Sequence, residues 1–217
     1  MKLIFEQVRV GGDRNFAYLL ADRDAGESVL IDPSYQPDAL VERARAQGVR
    51  VTHVVNTHGH ADHVEGNARA VELTGAPVAA HPAATPAPDV PLEDGASLGV
   101  GSFELRVLHV PGHADDHLVL YEPSERILVT GDLIFVGKVG GTPDDRQART
   151  EWESLQKVLG AVDDEATVWP GHDYGARPSS TIAWERRTNP FLLCPDVDAF
   201  LELKRTWADY KARLGLK

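Results

Sequence analysis

Cysteine is almost absent from this chain of 217 residues, because Cys194 is the only one. A single cysteine cannot form an intrachain disulfide, which excludes the class of small secreted domains stapled by disulfides. Long apolar runs are missing too, since no stretch approaches the roughly 18 residues of a membrane-spanning helix. The opening segment "MKLIFEQVRVGG" has only three successive apolar residues, Leu3 to Phe5, and so lacks the apolar region of a signal peptide. We expect a cytoplasmic protein that does not bind a membrane.

Positive charge is also scarce. The chain has 22 Lys and Arg against 33 Asp and Glu, which gives a formal net charge of −11. No long Lys/Arg run is present, so binding to nucleic acid through its phosphates is disfavoured. An anionic substrate would therefore need a locally basic pocket. The length suits one domain over residues 1–217, with a short helical extension from about residue 180 to 217.

Apolar periodicity and Gly/Pro punctuation predict strands and helices in both halves of the chain. In the first half we predict strands Leu3–Val10, Phe16–Ala21, Ser28–Asp32, Val51–Thr57 and Val78–His81, and helices Pro37–Gln47 and His63–Leu73. In the second half we predict strands Phe103–His109, Leu118–Glu122, Arg126–Thr130 and Thr167–Trp169, and helices Ala148–Leu159, Ser180–Thr188 and Asp196–Arg213. The Pro-rich and Ala-rich residues 81–95 are expected to form a surface loop. This order predicts an α+β fold of the αββα sandwich type, with two mixed β-sheets flanked by helices.

The stretch "THGHADH", residues 57–63, places three histidines and an aspartate at the carboxyl end of a predicted strand. Side chains two apart in an extended stretch point the same way, so His58 and His60 can share one metal ion. Asp62 and His63 lie where the chain turns into a helix and can face a neighbouring ion. Such a concentration of ligand residues indicates a metal site rather than ordinary surface polarity.

Three later loops each present one more ligand residue beside a glycine, directly after a predicted strand. They are "VPGHADDH" with His113, "VTGDLIF" with Asp132 and "WPGHDYG" with His172. Glycine allows a sharp turn and a close approach of a ligand. The imidazole and carboxylate groups together suit zinc, iron or manganese. The isolated histidines are interpreted as ordinary surface or hydrogen-bonded residues: His53, His81, His109 and His117.

As an ordered set, His-x-His-x-Asp-His, "PGH", "GD" and "PGH" resemble the metallo-β-lactamase superfamily over His58 to His172. The resemblance implies an αββα sandwich with two divalent metal ions at one edge of the sheets, zinc first and iron or manganese as alternatives. It implies one metal on His58, His60 and His113, a second on Asp62, His63 and His172, and Asp132 as a bridge beside a water or hydroxide.

Two branches of that superfamily are similar to this chain, the hydroxyacylglutathione hydrolases (glyoxalase II) and the persulfide dioxygenases. The "HDYG" and "TNP" elements resemble the dioxygenases, whereas His117, four residues after His113, resembles the hydrolases. The chain departs from both. A Gly-Arg-x-Asp-Phe element of the dioxygenases appears here as "GKVGGTPDD", Gly137 to Asp145. Only about 45 residues follow His172, fewer than in the helical region with which glyoxalase II binds glutathione.

The two resemblances imply different reactions at the same ligands. In the hydrolase, a metal-bound hydroxide attacks a thioester or a related activated ester such as a lactone. Asp132 bridges the two metals, and Asp62 is either a metal ligand or the group that orients the water. In the dioxygenase, a single Fe(II) on His58, His113 and Asp132 oxidises glutathione persulfide. We favour the hydrolase. A non-catalytic metal-binding protein is a third interpretation.

Substrate contacts are predicted near the second half of the cluster. Lys138, Arg177 and Arg186 are candidates for binding an anionic substrate tail, although exposed salt bridges are the alternative for each. Tyr174 either reaches the substrate or packs under its loop. We expect a small thiol-derived substrate, of which glutathione-linked compounds are one class, and the chain could form a homodimer. Two further expectations are that Asp32 supports the metal loop and that Trp169, Trp184 and Trp207 pack in the core or under helices.

Overall fold

Two six-stranded sheets lie face to face in the computed structural model, which describes residues 2–215. In spatial order the first sheet contains β1 (Leu3–Gly11), β2 (Asn15–Asp22), β3 (Glu27–Ile31), β4 (Arg50–Val55), β5 (Val78–Ala80) and β6 (Val90–Pro91). The β1–β2 and β2–β3 pairs are antiparallel, while the later pairs are parallel. The first sheet is therefore mixed.

The second sheet is also mixed. Along the chain its strands are β7 (Ser97–Val100), β8 (Phe103–His109), β9 (Leu118–Glu122), β10 (Ile127–Gly131), β13 (Thr167–Pro170) and β14 (Ser180–Thr181). Only β10 and β13 pair in parallel. A small hairpin stands outside both sheets, formed by β11 (Ile134–Phe135) and β12 (Lys138–Val139).

Helices cover the outer faces of the two sheets. They are α1 (Pro37–Gln47), α2 (Ala61–Val64), α3 (Asn67–Thr74), α4 (Asp145–Ala161), α5 (Ile182–Thr188), α6 (Val197–Arg205) and α7 (Trp207–Leu214). Helix α1 has the predicted bounds because Pro37 occupies its first turn and Gly48 ends it in the left-handed conformation. In the described part of the chain, no helix combines the length and apolar character needed to cross a bilayer.

Strand β2 explains why the layers form, because all of its residues are buried. Successive side chains point to opposite faces of a strand. Phe16, Tyr18 and Leu20 join the core between the two sheets, whereas Ala17 and Leu19 join the core beneath α1 and α3. A third core lies between the second sheet and the helices α4 and α6. The αββα sandwich predicted from the sequence is confirmed.

Several local predictions need correction. The helix predicted over His63–Leu73 is divided into α2 and α3 at Gly66, whose α-carbon approaches the backbone of Ser34 so closely that a Cβ would lie 2.0 Å from that carbonyl oxygen. The last predicted helix, Asp196–Arg213, is likewise divided at Thr206, between α6 and α7. Strand β6 lies inside the expected surface loop, and Ser180 and Thr181 form a strand before α5 begins.

The residues after position 180 join the second half of the sandwich. Phe191 and Phe200 pack in one apolar cluster with Leu155 and Val158 of α4. Lys204 of α6 forms an ion pair with the fully buried Glu151 of α4. The C-terminal helices therefore share a hydrophobic core with the second sheet.

Candidate metal centre

Strands of both sheets end at the same edge of the sandwich, and the loops that leave them carry the predicted ligands. Strands β8, β10 and β13 run in one direction, and β4 ends beside them in the other sheet. Backbone hydrogen bonds join the sheets here, from Leu118 to Thr57 and from Phe16 to Gly171. These hydrogen bonds hold the two sheet edges together, so residues more than 100 positions apart form one cluster. The cluster contains His58, His60, Asp62, His63, His113, Asp132 and His172.

Three histidines form the first group of this cluster. Nδ1 of His60 lies 3.0 Å from Nε2 of His58 and 3.0 Å from Nε2 of His113. Ligands held about 2.1 Å from a tetrahedral metal are separated by roughly 3.4 Å. The three nitrogens are therefore close to the spacing that one bound cation requires.

The second group combines one carboxylate and two histidines. Nε2 of His63 and Nε2 of His172 are 3.3 Å apart. Oδ2 of Asp62 lies 3.4 Å from Nε2 of His172 and 3.8 Å from Nε2 of His63. These three atoms converge in the same way as those of the first group, with two nitrogens and one oxygen as donors.

Asp132 lies between the two groups. Its Oδ2 is 3.3 Å from Nε2 of His172 and 3.5 Å from Nε2 of His113, while Oδ1 is 3.5 Å from Nε2 of His63. Within residues 2–215, the buried Oδ1 has no hydrogen-bond partner. A buried carboxylate oxygen without a partner is costly unless a cation compensates it, so this position fits a bridging ligand.

The outer nitrogens of the histidine rings fix the rings in place. Nδ1 of His113 donates to the carbonyl of Gly141 at 2.7 Å, and Nδ1 of His172 donates to the carbonyl of Asp13 at 2.9 Å. Nδ1 of His63 lies 2.9 Å from the Asp32 carboxylate. A proton held on Nδ1 leaves the lone pair of Nε2 pointing inward, which is the arrangement typical of metal-binding histidines.

Asp32 supports the loop as well as the ring of His63, as the sequence suggested. Oδ1 accepts a hydrogen bond from the backbone N–H of Thr57 at 2.8 Å, and Oδ2 accepts one from the Thr57 hydroxyl at 2.6 Å. The same hydroxyl lies 3.1 Å from Nδ1 of His58. One buried carboxylate therefore orients residues of both groups.

Burial and charge act in opposite directions on the ionisable groups here. Burial lowers the pKa of His58 well below its ordinary value. Burial also opposes protonation of His63, but the charges of Asp32 and Asp132 outweigh it and raise its pKa to about 9. The pKa of Asp132 is lowered despite burial, because it bonds to His172 and faces His63. The carboxylate stays ionised, and a metal binding at His63 would have to displace a proton.

Two buried residues that the sequence did not assign to the site also hold it. Nε2 of His117, which we had interpreted as an ordinary histidine, accepts a hydrogen bond from the backbone N–H of Asp132 at 3.0 Å. Nδ2 of Asn15 donates to Oδ2 of Asp62 at 2.9 Å and to its carbonyl at 3.1 Å. The only sequence signal for Asn15 was its place just after the Gly-Gly turn that ends β1.

The predicted substrate residues lie beside the second group. The ring of Tyr174 stacks on His172 at 4.7 Å, and its hydroxyl donates to the Asp13 carboxylate at 2.5 Å. Lys138 Nζ lies 3.7 Å from the centre of the Tyr174 ring. These two side chains and Arg177 line a cleft of about 820 Å³.

The remaining expectations about single side chains had mixed outcomes. Arg186 lies outside the cleft, forms a salt bridge with Asp164 at 2.8 Å and donates a hydrogen bond to the carbonyl of Leu159. The structure therefore contains the salt bridge that was the alternative to substrate binding. Trp169 and Trp207 pack against the apolar clusters as expected. Trp184 does not, because 44% of its surface is exposed.

Comparison with known proteins agrees with this geometry. The family model of the metallo-β-lactamase superfamily matches residues 10–172, which is most of the chain and contains all seven ligand residues. The chain therefore belongs to the metallo-β-lactamase superfamily.

Similar proteins within that superfamily carry two different names. A hydroxyacylglutathione hydrolase of Anaeromyxobacter dehalogenans is 39% identical over 224 residues, which cover 88% of this chain and 86% of that protein. The human mitochondrial persulfide dioxygenase ETHE1 is 32% identical over 181 residues, covering 82% of this chain and 71% of that protein. The crystal structure of ETHE1 from Myxococcus xanthus superimposes with a TM-score of 0.86 at 32% identity, covering 94% of this chain and 91% of that one.

Proposed function

We propose that this protein is a metal-dependent hydrolase that cleaves thioesters or related activated esters. One observation carries the proposal: both groups of ligands are complete, and the rings of His63 and His172 in the second group are held as firmly as that of His113 in the first. A second group that served only as hydrogen-bonding support would not need Nε2 of both histidines directed toward the centre of the cluster.

The residues present fit two divalent ions. His58, His60 and His113 would hold one, and Asp62, His63 and His172 the other, with Asp132 between them. Imidazole nitrogens and carboxylate oxygens without a cysteine suit zinc first, and also iron or manganese. When bound, such a pair supplies a water of lowered pKa and a Lewis acid for the carbonyl oxygen.

The side chains of this chain would then orient the reactants and move one proton. Asp62 is held by Asn15 at the open side of the cluster and is partly exposed, so its Oδ2 can orient a water and accept the proton from it. Asp132, fixed through its backbone by His117, stays ionised and holds the two groups at a constant separation. The cleft beside Tyr174 would position the thiol part of the substrate.

The substrate we propose is a small thiol-derived molecule, with glutathione thioesters among the compounds to test. Lys138 and Arg177 place positive charge in the cleft of a chain whose net charge is −11, which supports an anionic thiol carrier. A cytoplasmic location and a homodimer stay predictions.

A second candidate function is persulfide dioxygenation by one Fe(II) held by His58, His113 and Asp132. The similarity to human persulfide dioxygenase and to ETHE1 of Myxococcus xanthus favours it. In that case, His60, Asp62, His63 and His172 would support the site through hydrogen bonds. The absence of the Gly-Arg-x-Asp-Phe element, with Gly137–Asp145 in its place, counts against this candidate.

Metal analysis combined with two assays distinguishes these functions. The protein is purified without added metal, its metal content is measured by plasma emission, and it is given thioesters and, separately, glutathione persulfide with an oxygen electrode. Near two metals per chain with thioester cleavage and no oxygen uptake is the expected result. About one iron per chain with oxygen uptake would overturn the proposal in favour of the dioxygenase. Bound metal with neither activity would favour a non-catalytic metal-binding protein.

A further inference from the structure

The cleft beside the metal centre collects positive charge in an acidic protein. Four cationic side chains line it, those of Arg14, Lys138, Arg177 and Lys211, against the single carboxylate of Asp13. The chain as a whole has a net charge of −11. This local reversal of sign marks a surface that attracts an anion carrying several charges.

In the described part of the chain, no carboxylate forms an ion pair with any of these four cations. Arg9, in contrast, pairs with Asp173 at the same end of the molecule. Asp13 is already engaged by the hydroxyl of Tyr174. Burial, and to a lesser extent the positive charges of Lys211 and Arg14, lower the pKa of Lys138, and a bound anion would oppose this shift.

An exposed aromatic ring stands at one side of the same cleft. Trp184 of α5 is 44% exposed, although a tryptophan normally buries most of its surface. The guanidinium of Arg177 lies 4.6 Å from the centre of its ring, and that of Arg187 lies 5.9 Å away. An exposed indole flanked by arginines is the combination that stacks a nucleobase and binds its phosphates.

The cleft adjoins the reaction centre through Tyr174, although none of the seven ligand residues lines it. Tyr174, which lines the cleft, stacks on the ligand residue His172, and Nζ of Lys138 lies 3.7 Å from the centre of the same Tyr174 ring. At about 820 Å³, the cleft is at the large end of the range for small-molecule sites, about 300–1,000 Å³. A carrier could therefore extend from the metal ions past Lys138 and Lys211 to Trp184.

We propose that this cleft binds a thiol carrier bearing phosphate groups and a purine ring, of the coenzyme A type. The phosphates would lie among Arg14, Lys138, Arg177 and Lys211, and the purine would stack on Trp184. The inference rests on the proposed thioester hydrolysis and specifies its substrate class. Cleavage adds the oxygen of water to the acyl carbon and breaks the carbon–sulfur bond; one proton of the water goes to the leaving sulfur and the other to solvent, so the products are a carboxylate and a thiol.

Charge and shape favour this carrier over glutathione. Glutathione has two carboxylates and one ammonium group, so its net charge is small, and it has no aromatic ring. A coenzyme A carrier has a diphosphate, a further phosphate and an adenine. It therefore offers phosphate groups to the four cations that form no ion pair within the described chain, and its adenine can cover the exposed part of Trp184 that Arg177 leaves open.

The test compares three thioesters with the same acyl group on the metal-loaded protein: acyl-coenzyme A, S-acylglutathione and S-acyl-N-acetylcysteamine, which has only the end of the carrier. We expect acyl-coenzyme A to have the highest kcat/KM. Trp184→Ala should lower kcat/KM for acyl-coenzyme A by about tenfold or more, through KM, because base stacking contributes about 1–3 kcal/mol. The same variant should leave kcat/KM for the N-acetylcysteamine thioester unchanged, and Trp184→Phe should restore part of the loss.

The controls separate this inference from the proposed function. Arg106→Ala removes an exposed cation of β8 that lies outside the cleft and should change none of the three rates. Equal rates for the coenzyme A and N-acetylcysteamine thioesters, or a higher rate for S-acylglutathione, would overturn the inference while leaving thioester hydrolysis intact. Cleavage of none of the three would instead reject the proposed function.

A binding measurement decides the carrier site independently of activity. Adenosine 3′,5′-bisphosphate is titrated into the wild type, Trp184→Ala and Lys211→Ala in a calorimeter. Binding to the wild type that weakens about tenfold in Trp184→Ala, and weakens with added salt, supports the inference. Absence of binding, or equal binding to all three proteins, overturns it.

Discussion

Oδ2 of Asp32 lies 2.9 Å from Nδ1 of His63, and both side chains are almost completely buried. The same carboxylate binds the backbone and the hydroxyl of Thr57, the residue before His58. Asp32 therefore receives three hydrogen bonds, two of them at one oxygen. It connects the two groups of candidate metal ligands without being a ligand itself.

Asp32→Asn should lower metal affinity without unfolding the protein. Both oxygens of the carboxylate accept hydrogen bonds, but an amide has only one oxygen, so its NH₂ group must point at a neighbouring hydrogen-bond donor. The substitution also removes the negative charge that stabilises the His63 ring. Asparagine tolerates the positive φ of 48° at this position. We expect metal affinity to fall about 10- to 100-fold, measured by competition with a chelator. The exposed Asp198→Asn should leave it unchanged, and full affinity in Asp32→Asn would contradict the supporting role.

Much of the candidate site could be predicted because its ligands follow local rules. His58, His60, His113, Asp132 and His172 lie beside a glycine where a strand ends, Asp62 and His63 follow directly on α2, and parallel strands bring such ends to one edge. The prediction failed where a role depends on distant parts of the chain meeting. Asn15 reaches Asp62 from 47 residues away, and His117 reaches the backbone of Asp132 only because β9 and β10 are neighbours in the sheet.

The fold was predictable to a similar degree. Helix α1 has its predicted bounds because Pro37 and Gly48 are strong boundary signals. The division between α2 and α3 was missed because it arises from a close tertiary contact of Gly66 with Ser34. Two-residue strands such as β11 and β12 are too short to produce a pattern, and they exist because they pair with each other.

Asp132→Ala should abolish activity and reduce metal content. Its carboxylate lies within 3.5 Å of His63, His113 and His172, so its removal leaves the two groups without their shared donor. Plasma emission should report fewer metal ions per chain, while circular dichroism should remain that of the wild type. Asp115→Ala, an exposed aspartate of a neighbouring loop, is the matched control. A variant at position 132 that retains full activity would remove this residue from the mechanism.

Lys138→Ala should raise KM more than it lowers kcat. The ammonium group lies over the Tyr174 ring in the cleft rather than among the metal ligands, so it contributes to binding of the carrier. Steady-state kinetics with a cleaved thioester measures both constants. Lys157→Ala, which removes a lysine bound to Asp94 outside the cleft, should leave both unchanged. An unchanged KM in Lys138→Ala would remove the binding role.

The buried carboxyl group of Glu151 lowers the stability of the fold as the pH rises, whereas the carboxylate of an exposed ion pair increases it. Its carboxyl group is fully buried on α4 and is paired with Lys204. Burial raises its pKa from 4.5 to about 7, since the attraction of Lys204 is too weak to offset desolvation, and the charge of Asp132 adds to the increase. Between pH 4.5 and 7, the folded protein therefore holds a proton that the unfolded chain has released. The contribution of Glu151 to stability falls as the pH rises through this range.

Glu151→Gln should remove this dependence, because glutamine does not titrate. Relative to the wild type, the variant's free energy of unfolding should increase by about 3 kcal/mol between pH 4.5 and pH 8. Loss of the carboxylate lowers the pKa of Lys204 further, and that change acts in the same direction. Urea unfolding of both proteins at the two pH values, at equal metal content, measures the difference, with the exposed Glu153→Gln on the same helix as control. If the variant instead loses stability relative to the wild type as the pH rises, the charged pair stabilises the fold and the buried carboxyl does not hold its proton near neutral pH.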